Sequence, residues 1–193
     1  MILPDREIQL ALASGHIILD PPPQSKAYSS TRVDLTLDPK IQRWKEYETG
    51  GEAPIISPSD PSFIFDQIRD QHTDSLLIPA DGYILIPGAF ILGWTRERIT
   101  LPLAGRIAAR VEGKSSIARC GVGIHVTAPT IHSGFDGHIQ LEMFNHSTLR
   151  VTLLPGMRVC QLIFEMCLGT PQKGYEGAFA GQTASTLQKK RKK

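Results

Sequence analysis

The chain has 193 residues, 41% of them hydrophobic and 21% charged, with a formal net charge of +2. That length suits one domain with a substantial core, and the balance of apolar and charged residues excludes a disordered or fibrous chain. The positive charge comes largely from the last five residues, Lys189, Lys190, Arg191, Lys192 and Lys193, so a general nucleic-acid-binding surface is not indicated and no stable nucleic-acid partner is expected. Three cysteines, Cys120, Cys160 and Cys167, show no Cys-x-x-Cys spacing and fit a reducing cytoplasm better than a stapled secreted protein. The N-terminal residues carry no basic stretch followed by an apolar run. Nowhere does an uncharged run reach the ~18 residues of a membrane span. A soluble cytoplasmic protein with no membrane contact is expected.

Residues 5–13 read as a short helix with Ile8 and Leu12 on one stripe, ended by Gly15. Residues 16–19 read as a strand closed by Pro21, Pro22 and Pro23, and residues 33–37 alternate apolar and polar as a half-buried strand does. Residues 38–74 are rich in turn formers and give no clear element. From residue 76 onward short strand-like runs follow one another at 76–78, 83–86, 90–94, 107–111, 124–126, 138–144, 150–154 and 158–164. Turn material separates them, as at Pro87-Gly88 and Pro155-Gly156. Residues 115–119 read as a single helical turn. So many short strands predict an all-β fold, a distorted barrel of jelly-roll type in a single domain spanning 1–193. Residues 169–193 contribute little to a core and read either as a disordered tail or as a mobile C-terminal arm, ending in the basic run.

Period-two alternation through residues 139–144 puts Gln140, Glu142 and Phe144 on one face of a strand. A half-desolvated carboxylate there suits a general base, although the pattern alone equally describes a solvent-facing glutamate. Ser115 and Arg119 stand one helical turn apart. By themselves they also fit a serine cap beside a surface arginine, and a lone histidine such as His125 also fits a structural role.

In three ordered blocks, Gly113-Lys114-Ser115-Ser116-Ile117-Ala118-Arg119, His125-Val126-Thr127-Ala128 and residues 134–142 ending in Leu141-Glu142, the sequence resembles the dCTP deaminase family, relatives of the trimeric dUTPases. The likeness extends to Ser30-Thr31-Arg32-Val33-Asp34-Leu35, to residues 154–162 and to Gly181-Gln182. It implies a dUTPase-like distorted barrel of jelly-roll type, assembled as a homotrimer with active sites at subunit interfaces. It implies further that Glu142 activates water to attack C4 of dCTP, with Ser115 and Arg119 holding the water and the ring. Lys114, where the family carries an arginine, and Ser116 would bind phosphate. Val126, Thr127 and Ala128 would read the pyrimidine edge, with His125 and Thr130 beside them. Gly134 and Phe135 would approach the sugar, and Gln161, Tyr175, Phe179 and Gln182 would bind substrate. His132 falls where many relatives carry an aspartate, and Ala178 where an arm lysine is expected.

A zinc deaminase needs His-x-Glu followed by Pro-Cys-x-x-Cys. Here His138 is followed by Gln140, so no zinc is expected, and Mg2+ would travel on the substrate triphosphate. The expected reaction is dCTP plus water giving dUTP and ammonia, with dTTP as an inhibitor. Because a neutral imidazole at His132 lacks the charge of an aspartate, further hydrolysis to dUMP, or plain dUTPase action, stands as the alternative. A nucleotide-binding regulator is the non-enzymatic one.

Overall fold

The computed structural model describes residues 1–47, 52–175, 177 and 181–183. Helix α1 (Asp5–Ala13) places Asp5 and Glu7 in its first turn, where the helix dipole favours carboxylates. It buries Ile8 and Ala11. The amides of His16 and Ile17 both turn back to the carbonyl of Ala11, at 2.9 and 3.1 Å. This closing turn is why the strand expected from residue 16 starts later, as β1 (Ile18–Asp20).

The remaining strands are β2 (Tyr28–Ser29), β3 (Arg32–Thr36), β4 (Lys40–Trp44), β5 (Thr73–Leu77), β6 (Tyr83–Leu85), β7 (Phe90–Thr100), β8 (Ile107–Gly113), β9 (Val122–Gly123), β10 (Asp136–Asn145), β11 (Val151–Leu153) and β12 (Arg158–Met166). One sheet runs β5-β4-β7-β10-β9 with β1 also on β7; a second runs β2-β3-β12-β8; β11 and β6 make a third, small one. All pairs are antiparallel. Both large sheets feed a single hydrophobic cluster, with Ile91, Ile99, Leu141 and Met143 on one side and Val33, Leu35, Leu162 and Phe164 on the other. The expected β-rich architecture of jelly-roll type is thus present, built from open facing sheets among the described residues.

The unassigned stretch 38–74 holds β4 and a helix, α2 (Phe65–His72). Helix α2 buries Arg69, whose guanidinium is neutralised by Asp66 at 2.8 Å and Asp70 at 2.9 Å. Strand β7 extends well past the expected residue 94, because Thr95 and Glu97 are buried while Arg96 and Arg98 stay out. Glu97 tolerates burial by accepting from the Thr36 amide at 2.8 Å and the Thr36 hydroxyl at 2.7 Å. The strand expected at 124–126 is absent; the pairing ends at Gly123. Among the described residues no helix is long and apolar enough to cross a membrane.

Leu141 is fully buried in the middle of β10. Leu141→Ala is expected to cost about 2–5 kcal/mol by removing buried atoms and leaving a cavity. Urea unfolding checks this, and a loss under about 1 kcal/mol would contradict the packing.

Candidate functional site

Strand β10 alternates along its whole length: Gly137, Ile139, Leu141, Met143 and Asn145 are buried, while Asp136, His138, Gln140, Glu142 and Phe144 are half-buried on the opposite face. Across the strand pair, Glu142 faces Leu92 and Gln140 faces Trp94, both buried. Glu142 therefore has an apolar cross-strand neighbour on its own face. Its Oε2 accepts the backbone amides of Val126 at 3.0 Å and Thr127 at 3.3 Å. These bonds divert amides that a strand over 124–126 would spend on a ladder, which explains the irregular path there. Both contacts fall on Oε2, so Oε1 is not committed by them.

Gly123, His125, Val126, Glu142, Phe144 and His146 wall a cleft of about 390 Å³. His146 packs edge-on against Phe144, with ring centroids 4.4 Å apart. The Nδ1 atom of His125 is buried without a hydrogen-bond partner among the described residues, as is Nε2 of Gln140. Unsatisfied buried polar atoms are rare. Phe144 and His146 were absent from the sequence-derived set. The alternation that singled out Glu142 continues through Phe144 and was the signal for it; nothing local marked His146.

Ser115 and Ser116 open α3 (Ser115–Ala118), and the Arg119 amide closes the turn on the Ser115 carbonyl at 2.9 Å. Both side chains of the Ser115/Arg119 pair are exposed. Helix α3 packs on β9, yet Ser115, Ser116 and Arg119 do not line the Glu142 cleft of the same chain. Lys114 is bound elsewhere, its ammonium 2.7 Å from Oδ1 of buried Asp34. Asp34 also takes Arg32 at 3.1 Å and Arg158 at 3.2 Å, so one carboxylate gathers three cations. Gln161 sits opposite Asp34 across β12 and β3, with its Oε1 buried and unpartnered. Cys160 faces Gly113, and complete burial pushes its thiol far above the usual range. A larger cavity of about 460 Å³, walled in part by Pro22, Thr36, Glu97 and Arg158, contains none of the sequence-derived site residues.

Ala128 packs partly against the core, Thr130 is exposed and Phe135 is buried. His132 is exposed and stacks on Tyr175, with centroids 5.4 Å apart and 25° between planes; Phe135 touches the same ring at 5.8 Å. Gln182 accepts the His138 amide through its carbonyl and donates its Nε2 to the His138 carbonyl, both at 2.9 Å. Residue 138 lies four positions from Glu142, roughly 13 Å along a strand. Phe179 and Ala178, together with the basic run, lie outside the described residues.

Asp136 begins β10. Burial alone would raise its carboxyl, but hydrogen bonds from Thr100 and Arg98 and the charges of Arg98 and His138 hold it below the usual carboxylate range. Its contribution to stability is therefore complete above the unfolded carboxyl range, near pH ~4, and is lost as the pH falls through its own lower titration. Asp136→Asn is expected to flatten the acid limb of a urea-unfolding series between about pH 5 and about pH 2. An unaltered limb would rule out that coupling.

A family model described as dCTP deaminase-like matches residues 2–167. A relative from Methanosphaera stadtmanae, named "dCTP deaminase, dUMP-forming", is 35% identical over 97% of this chain and 93% of its own length. Further relatives at 35–38% identity carry the same dUMP-forming name. One from Rhodospirillum rubrum, 33% identical over 91% of this chain and 87% of its own, is named simply "dCTP deaminase". A solved structure of a 2'-deoxycytidine 5'-triphosphate deaminase from Agrobacterium tumefaciens shares the fold, with a TM-score of 0.64 at 19% identity. It aligns over 84% of this chain and 47% of that one, so this chain spans about half its length. The dUMP-forming names overturn the expectation of a reaction that stops at dUTP. That expectation rested on the missing negative charge at His132, but a neutral imidazole nitrogen also accepts a hydrogen bond from water, so the substitution does not bar a second hydrolysis.

Proposed function

The chain belongs to the dCTP deaminase-like family, and from that membership we propose that it is an enzyme converting dCTP and two waters to dUMP, ammonia and diphosphate. The observation that carries the proposal is the Glu142 carboxylate, fixed through Oε2 by the Val126 and Thr127 amides on the wall of a cleft. In the first half-reaction Glu142 takes a proton from the water that attacks C4, and the exocyclic amine leaves as ammonia. Ser115 and Arg119 steady the ring as negative charge moves onto it. In the second, water attacks the α-phosphorus and diphosphate departs. Val126, Thr127 and Ala128 border the pyrimidine, with His125 in the wall of the same cleft.

Two placements favour sites shared between subunits of a homotrimer. Ser115, Ser116 and Arg119 stand outside the Glu142 cleft of their own chain, and Gln182 is bonded to His138 roughly 13 Å along the strand from Glu142. A second copy bringing its own α3 or arm to the cleft would complete the set. Mg2+ would travel on the triphosphate, held by its oxygen ligands. When bound, that ion would neutralise phosphate charge. dTTP has the same sugar and triphosphate but no amine to displace, and is expected to occupy the site as an inhibitor. The free cysteines Cys120, Cys160 and Cys167 favour a reducing, cytoplasmic setting.

Incubation with dCTP and Mg2+, with ammonia, dUTP, dUMP and diphosphate resolved, is expected to give ammonia, dUMP and diphosphate in equal amounts. Accumulation of dUTP, or diphosphate without ammonia, would overturn the proposal. Glu142→Gln is expected to slow ammonia release by about 10²–10⁴ while nucleotide binding persists, as read by calorimetry.

A further inference from the structure

The C-terminal segment is seated on one short track, residues 132–138. At its near end Tyr175 lies against two rings, stacked on His132 and tilted against Phe135. Between those rings Gly134 has φ +91°, and a Cβ there would meet the Tyr175 amide nitrogen at 2.8 Å and the Gly174 Cα at 2.9 Å. The segment therefore approaches the turn as closely as a glycine permits. At the far end the Gly181 amide donates to the Asp136 carbonyl and Gln182 brackets His138, each bond 2.9 Å. A Cβ on Gly137 would stand 2.9 Å from the Gln182 carbonyl oxygen. Two of these three bonds are backbone to backbone and indifferent to side-chain identity, the third comes from the Gln182 side chain, and Phe135 is committed to the core. His132 differs: it is exposed, and Tyr175 is the one ring it stacks on among the described residues.

We infer that His132 is a positioning residue that acts through Tyr175, latching the root of the C-terminal arm onto residues 132–138. An aspartate at 132 offers no flat face to an aromatic ring, whereas imidazole stacks on it whether neutral or charged. The latch determines where Tyr175 and Gln182 are presented to substrate. Its loss weakens substrate capture more than turnover. The effect on capture rests on the deaminase reading above; the seating of the arm does not.

The test uses the full chain with His132→Ala, His132→Asp and His132→Phe. Without nucleotide, trypsin cleavage after exposed Lys173 and hydrogen exchange at the His138 and Gly181 amides, both read by mass spectrometry, are expected to quicken in the Ala and Asp variants. Both should return to the parent rate in the Phe variant, which keeps a flat ring. With dCTP, the Ala and Asp variants should raise KM by about two- to tenfold, the range that one aromatic pair contributes, with kcat changed less. Unaltered cleavage and exchange in His132→Ala, or a Phe variant as open as the Ala variant, would overturn the latch. If a His132 variant fails to fold, Tyr175→Phe and Tyr175→Leu pose the same question, the first expected to stay closed and the second to open. Altered exchange with no turnover of dCTP by the parent chain would keep the latch and sink the deaminase reading instead.

Discussion

Strand β10 is paired with β7 along nearly its whole length, and that register decides what every other part of the site can do. Leu141 and Met143 enter the core, while Gln140, Glu142 and Phe144 face the other way. A slip of one residue would exchange the two sets. It would bury a carboxylate with no partner and turn two of the largest core side chains outward, both of them costly. The hydrophobic demand of the inner face thus fixes a polar group on the outer face with no interaction of its own needed to place it. The same register sets Leu92 and Trp94, both buried, beside Glu142 and Gln140 on that outer face.

Once Glu142 is fixed, it organises the chain opposite. The Val126 and Thr127 amides bond to its Oε2, and residues beyond Gly123 leave the ladder as a consequence. A strand there would satisfy its own amides and leave the carboxylate to solvent. The price in regular structure is small, and the return is a carboxylate held by two donors at the edge of a cleft.

Legibility in the sequence followed this hierarchy. The alternation within 139–144 let a strand at 138–144 and the face bearing Glu142 be read directly, and β10 extends it to Asp136–Asn145. Strand β4 could not, because Ile41 and Gln42 are both buried and break the period. Helix α2 could not, because its buried group is Arg69, which takes a core position only with Asp66 and Asp70 beside it. The second half of β7 was hidden by Thr95 and Glu97, polar residues buried against partners distant in sequence, the Ile139 amide and Thr36. Among site residues, Ser115 with Arg119 and the Val126–Glu142 pairing lie within short stretches that a resemblance can align. The Lys114–Asp34 pair spans 80 positions, and the His132–Tyr175 stack joins a turn to the arm. Contacts that far apart depend on topology, which no window of sequence contains.

Asp34 ties the loop before α3 to the core. It is buried on β3, and its three cationic partners come from its own strand, from the start of α3 and from β12. A buried carboxylate is tolerated only with such partners, and in return it anchors the loop that begins at Lys114. One carboxylate against three cations leaves surplus positive charge at the foot of that loop. A lysine carries three donors on a compact ammonium, and Lys114 commits one of them to its 2.7 Å bond with Asp34. Asp34 holds that charge in place, and its geometry is set by the carboxylate. The position of the Lys114 ammonium is thus supplied from within the core.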